Sequence, residues 1–162
     1  MKSIMAFINS FFLAGIFVSI LSCSNSKRAI QNDYIGQWES EKVKITVRTK
    51  EKNEPYKFVS DYAVVSFKIT EGKTASGQIG QTRFENVSIK KNPELLWETG
   101  VEYIIECGSV GKIFNADPLS SKEVEIWICP LEQKGKLKAE LRYTEGMAVF
   151  PMADVDLTKK EE

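Results

Sequence analysis

Strict alternation of apolar and polar residues decides the fold of this chain, and it is clearest in the stretch KVKITVRTK at residues 42–50. Val43, Ile45 and Val47 fall on one side of an extended strand, and the residues between them fall on the other. The same period of two recurs at 62–70, 101–107, 123–129 and 136–143. Each stretch predicts a β-strand with one buried face and one solvated face.

Short turn signals separate these stretches, and no long window shows a helical period. We therefore predict an all-β domain, an antiparallel β-barrel of about eight to ten strands, with a β-sandwich as the alternative. The apolar positions Phe84, Val87 and Ile89 are separated first by an odd and then by an even number of residues. This change of parity predicts a β-bulge near Glu85 and Asn86.

One segment departs from the strand pattern. Asn92 is a good helix N-cap residue, Pro93 suits the first helical position, and Glu94 suits the first turn. The sequence therefore predicts one short helical turn near 93–97, ended by Gly100.

The N-terminal segment is mostly apolar from Ile4 to Leu21, interrupted by Asn9, Ser10 and Ser19, and follows a single lysine. It ends in Ile20-Leu21-Ser22-Cys23, which resembles the lipobox of bacterial lipoproteins, here of Bacteroidetes type. The resemblance implies cleavage before Cys23 and attachment of lipid to that cysteine, which anchors the chain in a membrane. An uncleaved membrane-spanning signal anchor is the alternative.

The residues after Cys23 bear on the compartment. Ser24 follows it, and by resemblance to lipoprotein sorting in Gram-negative bacteria this favours the outer membrane. In the gut-type Bacteroidetes lipoproteins that the segment resembles, an acidic cluster after the cysteine often accompanies display on the cell surface. The absence of such a cluster here favours the periplasmic face, with the cell surface left open. We predict a signal peptide at 1–22, a lipidated tether at 23–32, one barrel domain at 33–157 and a charged tail at 158–162.

Gly36-Gln37-Trp38 opens the globular part of the chain. This Gly-x-Trp stretch resembles the first strand of the lipocalin-like (calycin) group. The resemblance implies a barrel in which an arginine late in the chain packs on the tryptophan, and Arg142 is the best-placed candidate. It implies a structural role for Gly36, Trp38 and Arg142, and a small apolar ligand inside the barrel.

Composition limits the classes of function. The chain has 22 basic and 22 acidic residues, and this balance argues against binding to nucleic acid. It contains no histidine, which removes the usual general base and the commonest zinc ligand. We predict that the protein is not an enzyme, with no catalytic residues, no cofactor and no metal site.

Cys107 and Cys129 form an even pair in an exported chain, so a disulfide is one alternative. Alternation argues for the other, two free thiols, because Cys107 shares the apolar face of its strand and Cys129 lies opposite the apolar face of its own.

Trp127 falls on the polar face of its strand, which also carries Glu123 and Glu125, and this position predicts a partner surface. Two functions follow from these observations. The first is a lipid-anchored periplasmic protein that binds a small apolar ligand. The second is a protein-interaction or inhibitor module of the cell envelope whose barrel is filled by side chains.

Overall fold

A computed structural model describes residues 30–49, 55–92, 100–109, 113 and 123–161 of the chain. One 3-10 turn, Asn32–Tyr34, precedes ten strands. The strands are β1 (Gly36–Ser40), β2 (Val43–Thr49), β3 (Lys57–Ala63), β4 (Val65–Ile69), β5 (Thr74–Ile79), β6 (Thr82–Lys91), β7 (Tyr103–Ser109), β8 (Glu123–Ile128), β9 (Lys136–Glu145) and β10 (Ala148–Lys159). Within these ranges no helix is long and apolar enough to cross a membrane.

Eight of the strands form a closed antiparallel barrel in the order β1-β10-β9-β8-β7-β6-β5-β4. From β4 to β10 each strand pairs with the next strand along the chain. β1 closes the barrel by pairing with both β4 and β10, and Trp38 of β1 lies opposite Lys159 of β10. This arrangement confirms the predicted all-β barrel and excludes the β-sandwich. Closure also removes the sheet edges that an open sheet of this size would leave.

The remaining strands, β2 and β3, pair with each other in a separate two-stranded sheet. β2 continues from β1 and β3 leads into β4, so the four strands make one long hairpin that breaks near Ser40 and Val64. β2 also packs against β10. Strand formation before Tyr62 is a feature that the sequence did not predict, because residues 57–61 lack an apolar alternation.

The predicted inward faces are confirmed in all five alternating stretches. The buried apolar residues at these positions are Ile45, Val47, Ala63, Val65, Phe67, Ile69, Val101, Tyr103, Ile105, Cys107, Val124, Ile126, Ile128, Leu137, Ala139, Leu141 and Tyr143. The predicted bulge is confirmed too. The register of β5 with β6 shifts opposite Glu85 and Asn86, and Asn86 has a φ of 50°.

Both ends of the barrel are covered. Ile30 and Tyr34 are buried at the end where β1 begins, which we call the closed end. At the opposite end Ile113 is buried, and its carbonyl oxygen accepts a hydrogen bond from the Gln81 amide at 3.2 Å. The predicted helical turn at 93–97 lies outside the described residues. The last strand continues to Lys159, two residues beyond the domain boundary that we predicted at 157.

Candidate functional site

The Gly-x-Trp stretch lies at the closed end. Trp38 is fully buried, and its indole nitrogen donates a hydrogen bond to the Tyr34 carbonyl oxygen at 2.7 Å. Gly36 has a φ of 127°, a conformation that residues with a Cβ atom rarely adopt. The sequence therefore needs glycine here to turn the chain from the 3-10 turn into β1.

The basic residue over Trp38 is Lys159, and the prediction of Arg142 was wrong. The Lys159 ammonium lies 5.5 Å from the centroid of the Trp38 ring and donates to the Asp33 carbonyl oxygen at 3.1 Å. The reason is the register of the barrel closure, which places Lys159 directly opposite Trp38. Arg142 lies on β9, which is not paired with β1.

Arg142 instead packs on Trp127, on the outer face of β8 and β9. Its guanidinium carbon lies 3.8 Å from the centroid of the Trp127 ring. Glu140 accepts a hydrogen bond from Arg142 at 2.6 Å, and Glu125 accepts one from the Trp127 indole nitrogen at 2.6 Å. Trp127 is half-buried and faces outward, as alternation predicted. Its role as a partner surface stays a prediction.

Cys107 and Cys129 are free thiols. Cys107 is buried near the register position of Val124, whereas Cys129 follows Ile128, which pairs with Tyr103. The two cysteines are therefore about four residues apart along the ladder, roughly 13 Å, and a disulfide needs Cα atoms within about 7 Å. The disulfide alternative was wrong for this reason. Burial raises the pKa of both thiols, most strongly that of Cys107.

A buried polar pair that the sequence did not predict holds the closed end together. The Tyr34 hydroxyl donates a hydrogen bond to Glu102, and the same hydroxyl accepts one from the Leu131 amide at 3.0 Å. Gln31 donates to Glu102 at 3.3 Å, and the Lys91 ammonium lies 3.9 Å from it. Burial and the bond to Glu102 raise the pKa of the Tyr34 phenol above its ordinary value.

Large side chains fill the interior. Trp38, Tyr34, Tyr143 and Phe67 are each less than 2% exposed, as are seven isoleucines. The two best-defined cavities that described residues line have volumes of about 360 and about 30 Å³. The larger lies between the 130–133 loop and the ends of β9 and β10, and lysine, glutamate and aspartate side chains line much of it. Neither cavity is an apolar void of ligand size inside the barrel.

The exposed apolar side chains gather at the end opposite the closed end. Among the described residues, the exposed large apolar side chains are Tyr56, Phe58, Tyr62, Met147 and Val149. We call these five residues the hairpin surface, because they lie on β3 and its approach and on the turn and strand that follow β9. Phe58 is 72% exposed and Tyr62 is 63% exposed. Aromatic and methionine side chains are enriched where proteins bind one another.

Arg48 joins the β2–β3 hairpin to β10. Its guanidinium carbon lies 4.1 Å from the ring centroid of Tyr56 and 3.8 Å from that of Phe150 on β10. Phe150 stacks on the buried Tyr143 at 5.2 Å, and the Tyr143 hydroxyl donates to the Arg48 carbonyl oxygen at 3.3 Å. The β2–β3 hairpin is therefore fixed against β10 by stacked rings and a cation, which orders the surface before any partner binds.

No family model, curated protein or solved structure matches this chain. Among the described residues, no group of three or more cysteine, aspartate or glutamate side chains is placed to hold a metal ion. The exposure of its side chains makes the hairpin surface the candidate functional site.

Proposed function

We propose that this chain is a lipid-anchored β-barrel of the bacterial outer membrane, attached through Cys23, and that its hairpin surface binds a protein in the periplasm. The observation that carries the proposal is the contrast between a filled interior and exposed aromatic side chains gathered at one end. Phe58 and Tyr62 are exposed to water, and a partner that buried them would gain the free energy of burying their apolar area.

The alternative proposal is carriage of a small apolar ligand inside the barrel. It requires the buried aromatic and isoleucine side chains to give way, because a drug-sized ligand needs a pocket of about 300 Å³ or more. Packed interiors resist such displacement. The filled barrel therefore supports protein binding over carriage.

Native mass spectrometry of the lipidated chain, purified from its own envelope, tests the proposal. We expect a bound species of protein mass that Phe58→Ser removes and Trp127→Ser retains. Trp127→Ser is the matched control, because it removes an outward aromatic ring from the other predicted surface. If only Trp127→Ser removed the bound species, the binding site would lie on the outer face of β8 and β9 instead. A bound species of small-molecule mass, unaffected by either change, would favour carriage.

A further inference from the structure

The edge of β3 that does not pair with β2 has a sequence that complements itself. Among the described residues β3 pairs on one side only, with β2, so its other edge has no described strand beside it. Lys57, Phe58, Ser60, Asp61 and Tyr62 are all exposed. An open strand edge carries backbone donors and acceptors that another strand can pair with.

We propose that this edge binds the same edge of a second copy of the chain, in an antiparallel pair centred on Ser60. In that register Phe58 lies opposite Tyr62 of the second copy, and the two-fold symmetry repeats the pair. Aromatic residues opposite each other across antiparallel strands stabilise the pairing. The inference rests on the proposed function, since it names the protein that the hairpin surface binds.

The charges of the edge are compatible with the same register. Lys57 lies opposite Ala63 of the second copy, which makes Asp61 of that copy its diagonal neighbour on the same face. Diagonal neighbours in a sheet are about 7–8 Å apart, within reach of a lysine side chain. Asp61 at present accepts a hydrogen bond from the Tyr62 amide through one oxygen at 2.7 Å. The second carboxylate oxygen of Asp61 can accept a hydrogen bond from the Lys57 ammonium of the second copy.

The two nearest registers leave Phe58 without an aromatic partner. A pair centred on Val59 places Lys57 directly opposite Asp61 and pairs Tyr62 with Tyr56. Tyr56 precedes β3, however, and its ring already packs on Arg48. In that register Phe58, the most exposed of these rings, lies opposite Ser60. A pair centred on Asp61 places two carboxylates directly opposite each other, which is destabilising. The register centred on Ser60 alone pairs Phe58 with an aromatic residue.

The pairing is expected to be weak in solution. An edge of seven residues buries less than the roughly 1,200–2,000 Å² of a stable interface, so the dimer belongs to the transient class. Anchoring in a membrane would raise the effective concentration of the chains and compensate for this.

Disulfide trapping tests the register. The lipidated full chain is oxidised in an excess of detergent micelles, where the anchors leave the relative orientation free. Ser60→Cys should cross-link to itself, because residue 60 meets its own copy at the two-fold axis. The matched control is Ser88→Cys, an exposed serine on the outer face of β6. The unsubstituted chain measures any contribution from Cys107 and Cys129.

Two further measurements test the register and the contribution of the aromatic pairs. A mixture of Phe58→Cys and Tyr62→Cys chains should cross-link faster than either chain alone. In sedimentation, Phe58→Ser removes both aromatic pairs and should raise the dimer Kd about 2- to 30-fold. Tyr62→Phe should retain dimer formation.

Equal cross-linking of Ser60→Cys and Ser88→Cys would overturn the pairing. If Phe58→Ser still removed a bound protein from the envelope preparation in that case, the hairpin surface would bind a different protein, and the proposed function would stand. Loss of both effects would overturn both proposals.

Discussion

Removing the Tyr34 hydroxyl should destabilise the closed end more than its size suggests. Tyr34→Phe keeps the buried ring, its edge-to-face contact with Tyr103 at 5.0 Å, and most of its apolar area. It deletes the donor to Glu102 and the acceptor of the Leu131 amide. A carboxyl group that is 6% exposed and a backbone amide then both lose a partner.

The cost follows from these two losses. A hydrogen bond to a charged group contributes about 1.5–3 kcal/mol, and a buried group left without a partner costs about 1–3 kcal/mol. Gln31 and Lys91 still contact Glu102 in the variant, which reduces the sum of these two costs. We therefore expect the free energy of unfolding to fall by about 2–4 kcal/mol. For a domain of this size that lowers Tm by roughly 6–20 °C.

Chemical denaturation followed by circular dichroism measures this cost. Tyr62→Phe is the matched control, because the same hydroxyl is removed from a ring that is 63% exposed, and we expect a change within about 0.5 kcal/mol. Glu102→Gln keeps an acceptor of the same shape and should cost less than Tyr34→Phe. A Tyr34→Phe variant as stable as the control would refute the argument that this pair holds the closed end.

The stability of the protein at alkaline pH provides a second test of the contact between Tyr34 and Glu102. The pKa of Tyr34 is raised in the folded state, so the folded chain keeps a proton that the unfolded chain releases above about pH 10. The stability from this proton is complete below that pH and falls above it, by up to about 1.4 kcal/mol per pH unit. Tyr34→Phe should make the fall of stability with pH less steep. Burial also raises the pKa values of Tyr103 and Tyr143, which should account for the part of the fall that remains.

Three further predictions concern other parts of the barrel. Gly77→Ala should destabilise the protein by about 3 kcal/mol or more, because a Cβ atom there would lie 2.2 Å from a backbone oxygen of β4; thermal unfolding measures it. Lys90→Met should raise the pKa of Glu106, which the 2.6 Å hydrogen bond from Lys90 now lowers, in an NMR titration; an unchanged pKa would contradict this. A thiol reagent should label half-buried Cys129 in the folded protein and reach Cys107 only on unfolding, whereas protection of both thiols until reduction would contradict the free-thiol assignment.

Alternation predicted the barrel because a strand with one buried face must repeat every two residues. The same logic found the bulge, since Phe84 and Ile89 can both face inward only if one extra residue is inserted between them. It failed for β3, where Lys57 and Asp61 interrupt the apolar face. That strand is specified by its pairing with β2 rather than by its own pattern.

Contacts across the barrel closure could not be predicted in the same way. Which basic residue covers Trp38 depends on the register of β10 with β1, and Lys159 and Arg142 are both basic residues late in the chain. A register is set by strand lengths and bulges summed around the whole barrel. The contact between Tyr34 and Glu102 joins residues 68 positions apart and depends on the same sum.

The ends of the barrel decide which way the hairpin surface faces. The described chain enters at Ile30 on the closed end, and the hairpin surface lies at the other. β10 spans 12 residues, and with a rise of about 3.3 Å per residue and a strand tilt of about 40° the barrel is roughly 30 Å tall. If Cys23 carries the anchor, residues 24–29 reach at most about 20 Å. The closed end would then stay near the membrane and the hairpin surface would face away from it, where it meets protein rather than lipid.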